Sequence, residues 1–444
     1  MTRLSRRRLL TSGAAASMLA ATLPAQALPA RGGVLRLAIP RRGAQAFQAA
    51  VAATTVFNRL TATDADGGLR GELATAWEAS GDARDWSITL RSGVVFHDGS
   101  ALTASDVAAS LAELGTHLGT TCRVTADGPL RLRIRLADGD PGLPFLLADP
   151  ALAISKSGIG TGPYAPMANG GLATWAPYFD DRRTGWFDRV EFIGADTPKD
   201  AAAAVRDGVA DAADVADPAG LRVRRGRPSV SAISRSAALQ ISAQGAHAVT
   251  LANALRLGID RPALLQTWVA GYGTVADDHA IAYDPDHARH QLERAGIDHA
   301  TLSLSGDLLG CPATVRLLKG LSADGRAIGL ALSLTTRDDP RPADLALSLA
   351  PPRMTREATL AAHPRGSLTD VPDFEARLAE ARCAQSTAHR HDVLAALEHD
   401  VARHSTTVIP VHRDMTVVHT PRLTLMAEAG ARSGPNVAER WFFG

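Results

Sequence analysis

The sequence predicts an α/β protein built as two or more lobes behind an export signal. Length is the first ground. The chain has 444 residues, and about 417 remain once a signal of 27 residues is set aside. One hydrophobic core seldom organises so many. The second ground is alternation. Thr301–Leu304 and Ala327–Leu334 read as strands around a helix at Pro312–Leu321, an order that gives a layered α/β lobe. The third ground is the N-terminus. Arg3, Arg6, Arg7 and Arg8 precede a run of small apolar residues from Leu9 to Leu23, and Ala25-Gln26-Ala27 supplies a cleavage site. Such a stretch is a secretory signal, too short and too small-residued for a membrane anchor.

The arginine pair within Ser5-Arg6-Arg7-Arg8-Leu9-Leu10 marks the signal as twin-arginine. A general secretory signal with an extra arginine is the plainer alternative. No cysteine follows the cleavage site, so the mature protein is expected without a lipid anchor. The chain carries 47 basic and 46 acidic residues, and loss of the four signal arginines leaves 43 against 46, a net charge near −3. That balance excludes a nucleic-acid binder by electrostatics. Cys122, Cys311 and Cys383 sit far apart without metal-site spacing. One disulfide with a free thiol and three buried thiols are both open.

In chain order, Val34–Ile39 reads as the first mature strand, ended by Pro40. Arg41 to Gln48 follow as a loop, and Val51–Leu60 as a helix. Trp77 and Trp86 read as core aromatics. Trp86–Arg91 alternates like a strand and feeds the stretch Leu90–Leu111 (LRSGVVFHDGSALTASDVAASL). Its first half reads as a strand through Val94 and Val95 into a turn at His97-Asp98-Gly99. Its second half opens a helix, with Thr103 as N-cap and Asp106 completing a capping box. Leu130–Leu136 alternates Leu and Arg, a strand with one wet face. Gly160–Tyr164 reads as a turn, since Pro163 follows at once and no phosphate-binding helix opens. Phe187–Phe192 reads as a strand and Asp200–Asp214 as helix and turn. Thr250–Leu265 is a helix broken and restarted at Asp260 and Pro262, and residues 372–405 are strongly helical.

The wording of these segments resembles one family. Leu90–Val107 is similar to "L-R-x-G-V-x-F-H-D-G-x-x-L-T-A-x-D-V", the signature of bacterial extracellular solute-binding proteins, family 5, which serve ABC importers of peptides, nickel and opines. Gly32–Ala38 resembles the family's "G-G-x-L-x-x-A", Gly160–Tyr164 its "G-T-G-P-Y", Thr250–Leu265 its "V-R-x-A-L-x-x-A-I-D-R-x-x-L", and Ile409-Pro410-Val411 its "I-P-L". The resemblance runs from the signal to about residue 420. It implies a two-lobe periplasmic-binding-protein fold (type II, large peptide-binding class), with the ligand cleft between lobes. On that basis lobe I takes residues 33–238 with a return of 409–444, and lobe II takes 239–408.

The implied role is a periplasmic solute-binding protein, expected as a monomer. It would deliver a small peptide, opine or amino-acid-like solute to an inner-membrane permease, without cofactor or catalysis. A metal-chelate carrier and a non-transport sensor or enzyme on the same scaffold stand as alternatives. No G-x-S-x-G, H-E-x-x-H or S-x-x-K constellation supports an enzyme. His287, His290, His389, His391, His399 and His404 lie on predicted helices and read as solvated rather than as metal ligands. The residues expected to face the ligand are Arg41, Gln45, Trp175, Trp268, Arg353 and His412. The segment Leu349-Ala350-Pro351-Pro352-Arg353 stands where dipeptide-binding members carry an acid for the ligand's amino group. With an arginine there and no acid, the expectation is a ligand held by its carboxylate.

Overall fold

The computed structural model describes residues 30–40, 51–64, 68–112, 121–180, 186–214, 229–269, 273–276, 282–305, 308, 312–335, 342–350, 355–384, 386–425, 437 and 441–444. The signal at 1–27 and the loop at 41–48 lie outside them.

After Gly32 and Gly33, both at positive φ, strand β1 runs Val34–Pro40. A helical turn at residues 51–55 is all that forms of the helix expected over 51–60. Beyond it the backbone hydrogen-bonds outward instead, as in Leu73 N–H to Arg59 O at 3.0 Å. Strands β2 (Thr61–Thr63) and β3 (Leu69–Gly71) form a hairpin. A four-stranded antiparallel sheet follows, from β4 (Ala74–Ala79), β5 (Asp85–Leu90), β6 (Cys122–Ala126) and β7 (Arg131–Leu136), with helix α1 (Ala104–Ser110) beside it. On β7, Leu132, Ile134 and Leu136 are buried and the arginines between them exposed, as the alternation requires. The strand expected through Val95 stops at Leu90. Residues 94–102 fold back on themselves, with Phe96 N–H donating to Ser100 O and Leu102 N–H to Val94 O. Gly93 and Gly99 take φ of +74° and +82° at the bends, a backbone region that side chains resist. The capping box forms as expected: Asp106 N–H donates to Thr103 Oγ1, and Thr103 N–H to Asp106 Oδ2.

The chain then passes through helix α2 (Leu143–Leu146) to β8 (Tyr164–Pro166), β9 (Leu172–Thr174) and β10 (Arg189–Ala195). Helix α3 (Pro198–Arg206) and β11 (Ala212–Asp214) precede the longest strand, β12 (Ser229–Ala243). Helices α4 (Ala248–Gly258) and α5 (Arg261–Val269) break at the expected place. Strand β13 (Gly273–Val275), helix α6 (Pro285–Ala295), β14 (His299–Leu304), helix α7 (Pro312–Ala327), β15 (Ala331–Leu334) and β16 (Leu345–Ala350) follow. Helix α7 absorbs Ala327, which the sequence assigns to a strand. Helices α8 (Arg356–Ala361), α9 (Phe374–Cys383) and α10 (Thr387–His404) form a cluster with its own core of Leu360, Phe374, Leu378, Leu394 and Leu397. The chain returns through β17 (Thr407–Val408), β18 (Val411–His419), β19 (Leu423–Leu425) and β20 (Trp441–Phe443).

The main sheet runs β15-β14-β16-β12-β18-β11-β1-β10-β9-β8. Two lobes share it. Leu239, Ile241, Leu255, Trp268, Leu302, Leu317, Leu345 and Val411 make the core of one. Leu35, Leu37, Tyr164, Phe187, Val190, Val417 and Trp441 make the core of the other, with Ala38, Val205 and Val418 packed on the opposite face. Both β12 and β18 belong to both lobes, and they are antiparallel partners from Ser229 opposite His419 to Ala238 opposite His412. Their register slips twice, between Ala232 and Ser234 and between Ser234 and Ala237. Such slips bend and twist a strand pair, and here they fall where the two strands cross from lobe to lobe.

The candidate ligand cleft

Strand direction locates the cleft. β1 is parallel to β11, and β11 antiparallel to β18, with Ala212 opposite His419 and Asp214 opposite Val417. The C-terminal end of β1 therefore heads toward residue 412 of β18. From the other lobe, β16 ends at Ala350, opposite Ala238, which is itself opposite His412. Strand ends from both lobes thus converge on residues 412–416, and open α/β sheets bind ligands beyond the carboxyl ends of their strands. Arg41 and Gln45 follow β1, and Arg353 follows β16 by three residues. All three lie outside the described residues.

His412 sits in the crossing itself, paired on one side with Ala238 and on the other with Thr274 of β13. Burial lowers its pKa, only partly offset by Asp414, so the imidazole is neutral near pH 7. Strand alternation places Asp414 on the face of His412 and Arg413 on the other. Arg413 lies between Ala237 and Gly273 on the neighbouring strands, and its Nε is buried without a hydrogen-bond partner. His412 is among the residues expected from the sequence at the ligand; Arg413 and Asp414 are not. Three consecutive polar residues inside a strand were the available signal.

Trp175 lies in the first lobe, half-buried, its ring edge-on to His97 at 5.3 Å between centroids. His97 Nε2 is 2.9 Å from the Gly162 carbonyl oxygen. A carbonyl only accepts, so Nε2 carries the proton and Nδ1 the lone pair. Burial also lowers the His97 pKa. His97 Nδ1 and Trp175 Nε1, one acceptor and one donor, are both buried with no protein partner. His97 reads in sequence only as a turn residue. Trp268 is elsewhere: its side chain is fully buried in the second-lobe core, also with an unpartnered Nε1. Helix α5, which carries it, packs on β13 and β18. Tyr164 is a core residue, its hydroxyl donating to Phe187 O at 3.2 Å.

The G-T-G turn serves packing. A Cβ on Gly160 would stand 2.0 Å from Val56 O, and one on Gly162 2.3 Å from Thr55 O. Beneath it, Thr161 Oγ1 donates to Asn58 Oδ1, and Asn58 Nδ2 to Glu72 Oε1. Among the described residues no three His, Cys, Asp or Glu side chains converge to hold a metal ion. The helical histidines meet surface neighbours, His389 with Glu380 at 3.0 Å and His391 with Arg356 at 3.1 Å. Cys122 and Cys383 are free thiols, the first pushed up to about 11 by burial. Cys311 lies outside the described residues.

The sequence profile of the bacterial extracellular solute-binding proteins, family 5 (middle), matches residues 68–304, just over half of the chain. A curated relative, the HTH-type transcriptional regulator SgrR of Escherichia coli (strain K12), is 32% identical over 146 residues, 29% of this chain. The chain spans about a quarter (26%) of that relative's length. Solved structures share the fold. The binding protein AgaA from A. tumefacien R10, in complex with agropinic acid, superimposes with a TM-score of 0.76 at 16% identity, over 93% of this chain and 99% of the other. DppA from Helicobacter pylori, bound to the peptide STSA, gives 0.77 at 16% identity over 93% and 98%. NikZ from Campylobacter jejuni, with Ni(L-His), gives 0.72 at 18% identity over 92% and 99%. With two lobes joined through paired strands and a family profile spanning most of the first lobe and part of the second, the chain belongs to the bacterial extracellular solute-binding proteins, family 5.

Proposed function

We propose that the protein is exported to the periplasm and there captures a small peptide, opine or amino-acid-like solute, which it delivers to the inner-membrane permease of an ABC importer. The observation that supports this most is the convergence of strand ends from both lobes on the bent crossing of β12 and β18. A ligand held there contacts both lobes and favours their closure. The moving bodies are residues 33–238 with 409–444, and residues 239–408. Residues 1–27 act as a twin-arginine signal, and the mature monomer carries no lipid. The protein binds without making or breaking a bond and needs no cofactor.

Agropinic acid, a peptide and the L-histidine of a nickel chelate, the ligands in the three related complexes, all carry a carboxyl group. Arg353 would offer a planar fork for such a group, with Arg41, Gln45 and His412 around the solute and Trp268 supporting β13 from the core; Trp175 follows β9 beside the first residues of β10, at the other end of the sheet from this cleft. A metal chelate is the second reading, favoured by the neutral imidazole of His412 on the crossing strand.

The test is native mass spectrometry of protein purified from its own periplasm, followed by calorimetric titration of the co-purified compound. A charge-assisted contact to a carboxylate contributes about 1.5–3 kcal/mol. Arg353→Ala should therefore weaken binding roughly 10- to 150-fold. Unchanged affinity in a folded variant removes Arg353 from the site, and a metal in the bound mass replaces the first reading with the second.

A further inference from the structure

The lobes touch a second time, away from the crossing strands. The four-stranded sheet and α2 interrupt the first lobe between β1 and β8. Helices α8, α9 and α10 interrupt the second between β16 and β17. These two insertions meet. Ala358 of α8 is buried in the core of the sheet module with Phe96, Leu143 and Leu146. Arg390 of α10 packs against the backbone of Gly142, where a Cβ would lie 2.5 Å from its guanidinium.

Four charges meet at this contact, three of them buried and Arg390 half-buried, its side chain 20% exposed. Asp140, which accepts from Gly142 N–H at 2.8 Å just ahead of α2, is 5% exposed. Glu357 of α8 is 5% exposed and Arg382 of α9 is 3% exposed. Arg390 donates from Nε to Glu357 Oε1 at 2.6 Å and stands 3.6 Å from Asp140 Oδ1. The quartet is neutral overall, and only Asp140 comes from the first lobe. Burial pushes the Asp140 carboxyl up despite Arg390, and lowers Arg382 despite Asp140 and Glu357. For Asp140 and Arg382 the cost of desolvation thus exceeds what their partners return.

We propose that Asp140, Glu357, Arg382 and Arg390 form an interlobe latch that defines the closed geometry and is poised to open. Opening about β12 and β18 carries the sheet module away from the helices and hydrates the quartet. Burying a complete ion-pair set is close to neutral in free energy, because lost hydration roughly balances the Coulomb gain. The latch therefore fixes where the lobes meet without locking them together, and leaves the decision to the solute. Removing one member leaves an uncompensated buried charge in the closed form only, a strongly unfavourable state. The device depends on the lobes and not on which solute they hold.

The experiment measures the distance between spin labels on Thr125 of β6 and Ala396 of α10, both exposed, in solute-free protein whose three native cysteines are replaced by serine. Arg390→Met should shift the closed-to-open ratio by on the order of a hundredfold toward long distances. The charge-balanced pair Asp140→Asn with Arg390→Met should recover the short distance. If Arg390→Met does not fold, Asp140→Asn carries the same test, since its amide oxygen still accepts from Gly142. Identical distance distributions in the parent and in the folded single variant overturn the latch. So does a double variant that is as open as the single one.

Discussion

Glu72 is a carboxylate placed where water cannot reach it. Its side chain is 2% exposed, and Arg59 beside it 4%. Oε2 accepts from Arg59 N–H at 3.0 Å and from Arg59 Nε at 3.3 Å, while Oε1 accepts from Asn58 at 2.8 Å. Asn58 also reaches Tyr178, and Arg59 reaches the Ala148 carbonyl. Glu72 thus holds Asn58 and Arg59, which in turn reach the G-T-G turn through Thr161 and the chain just after α2 through Ala148. Glu72→Ala leaves the Arg59 guanidinium buried without its counter-charge, which costs about 3–5 kcal/mol. The expected outcome is a lower urea midpoint with an unchanged slope. A loss below about 1 kcal/mol would mean that water replaces the carboxylate and that the network is dispensable.

At the scale of elements, Asp324 of α7 shows how packing sets a titration. Burial first, and the nearby Asp260 second, push its carboxyl up from 3.8 to about 6. A raised carboxyl pKa means that the folded chain binds the proton more tightly than the unfolded chain. The stabilisation is complete below about pH 4 and is lost as pH rises through 6. Asp324 is only half-buried, so solvent screening reduces the change to about 1–2 kcal/mol. Asp324→Asn should flatten the stability profile between pH 4 and 6 in chemical unfolding, and an unaltered slope would assign it to other groups. The local elements were legible in sequence: the Thr103–Asp106 capping box, the alternation of β7, and the break between α4 and α5. Each is written in neighbouring residues. The end of β5 at Leu90 was not, because Val94 and Val95 are strand-prone and turn back only through bonds within 94–102. Nor was the reach of β12, which depends on β18 more than 170 residues away. For the site, His412 could be placed by its motif. Arg413 showed only as one of three polar residues inside a strand, and His97 only as a turn residue, since an unpartnered buried nitrogen exists only once the fold surrounds it.

For the whole molecule, the crossing strands decide what binding looks like in solution. The lobes share β12 and β18, whose two register slips concentrate bending in a short segment. The hydrogen bonds on either side stay in regular ladders, so the prediction is that the lobes turn as bodies about that segment rather than deform. A solute held at residues 412–416 gains contacts from both sides only when the lobes approach. Binding to the native state alone also stabilises by mass action, about 2.7 kcal/mol at a hundredfold excess over Kd. Spread over an unfolding entropy of about 0.9 kcal/mol/K for a chain of this size, that raises Tm by about 3 °C. The co-purified solute, added back to stripped protein, should therefore reduce the radius of gyration in X-ray scattering and raise Tm together. A rise in Tm with no compaction would show a solute held by one lobe, and would remove the crossing of β12 and β18 as the hinge.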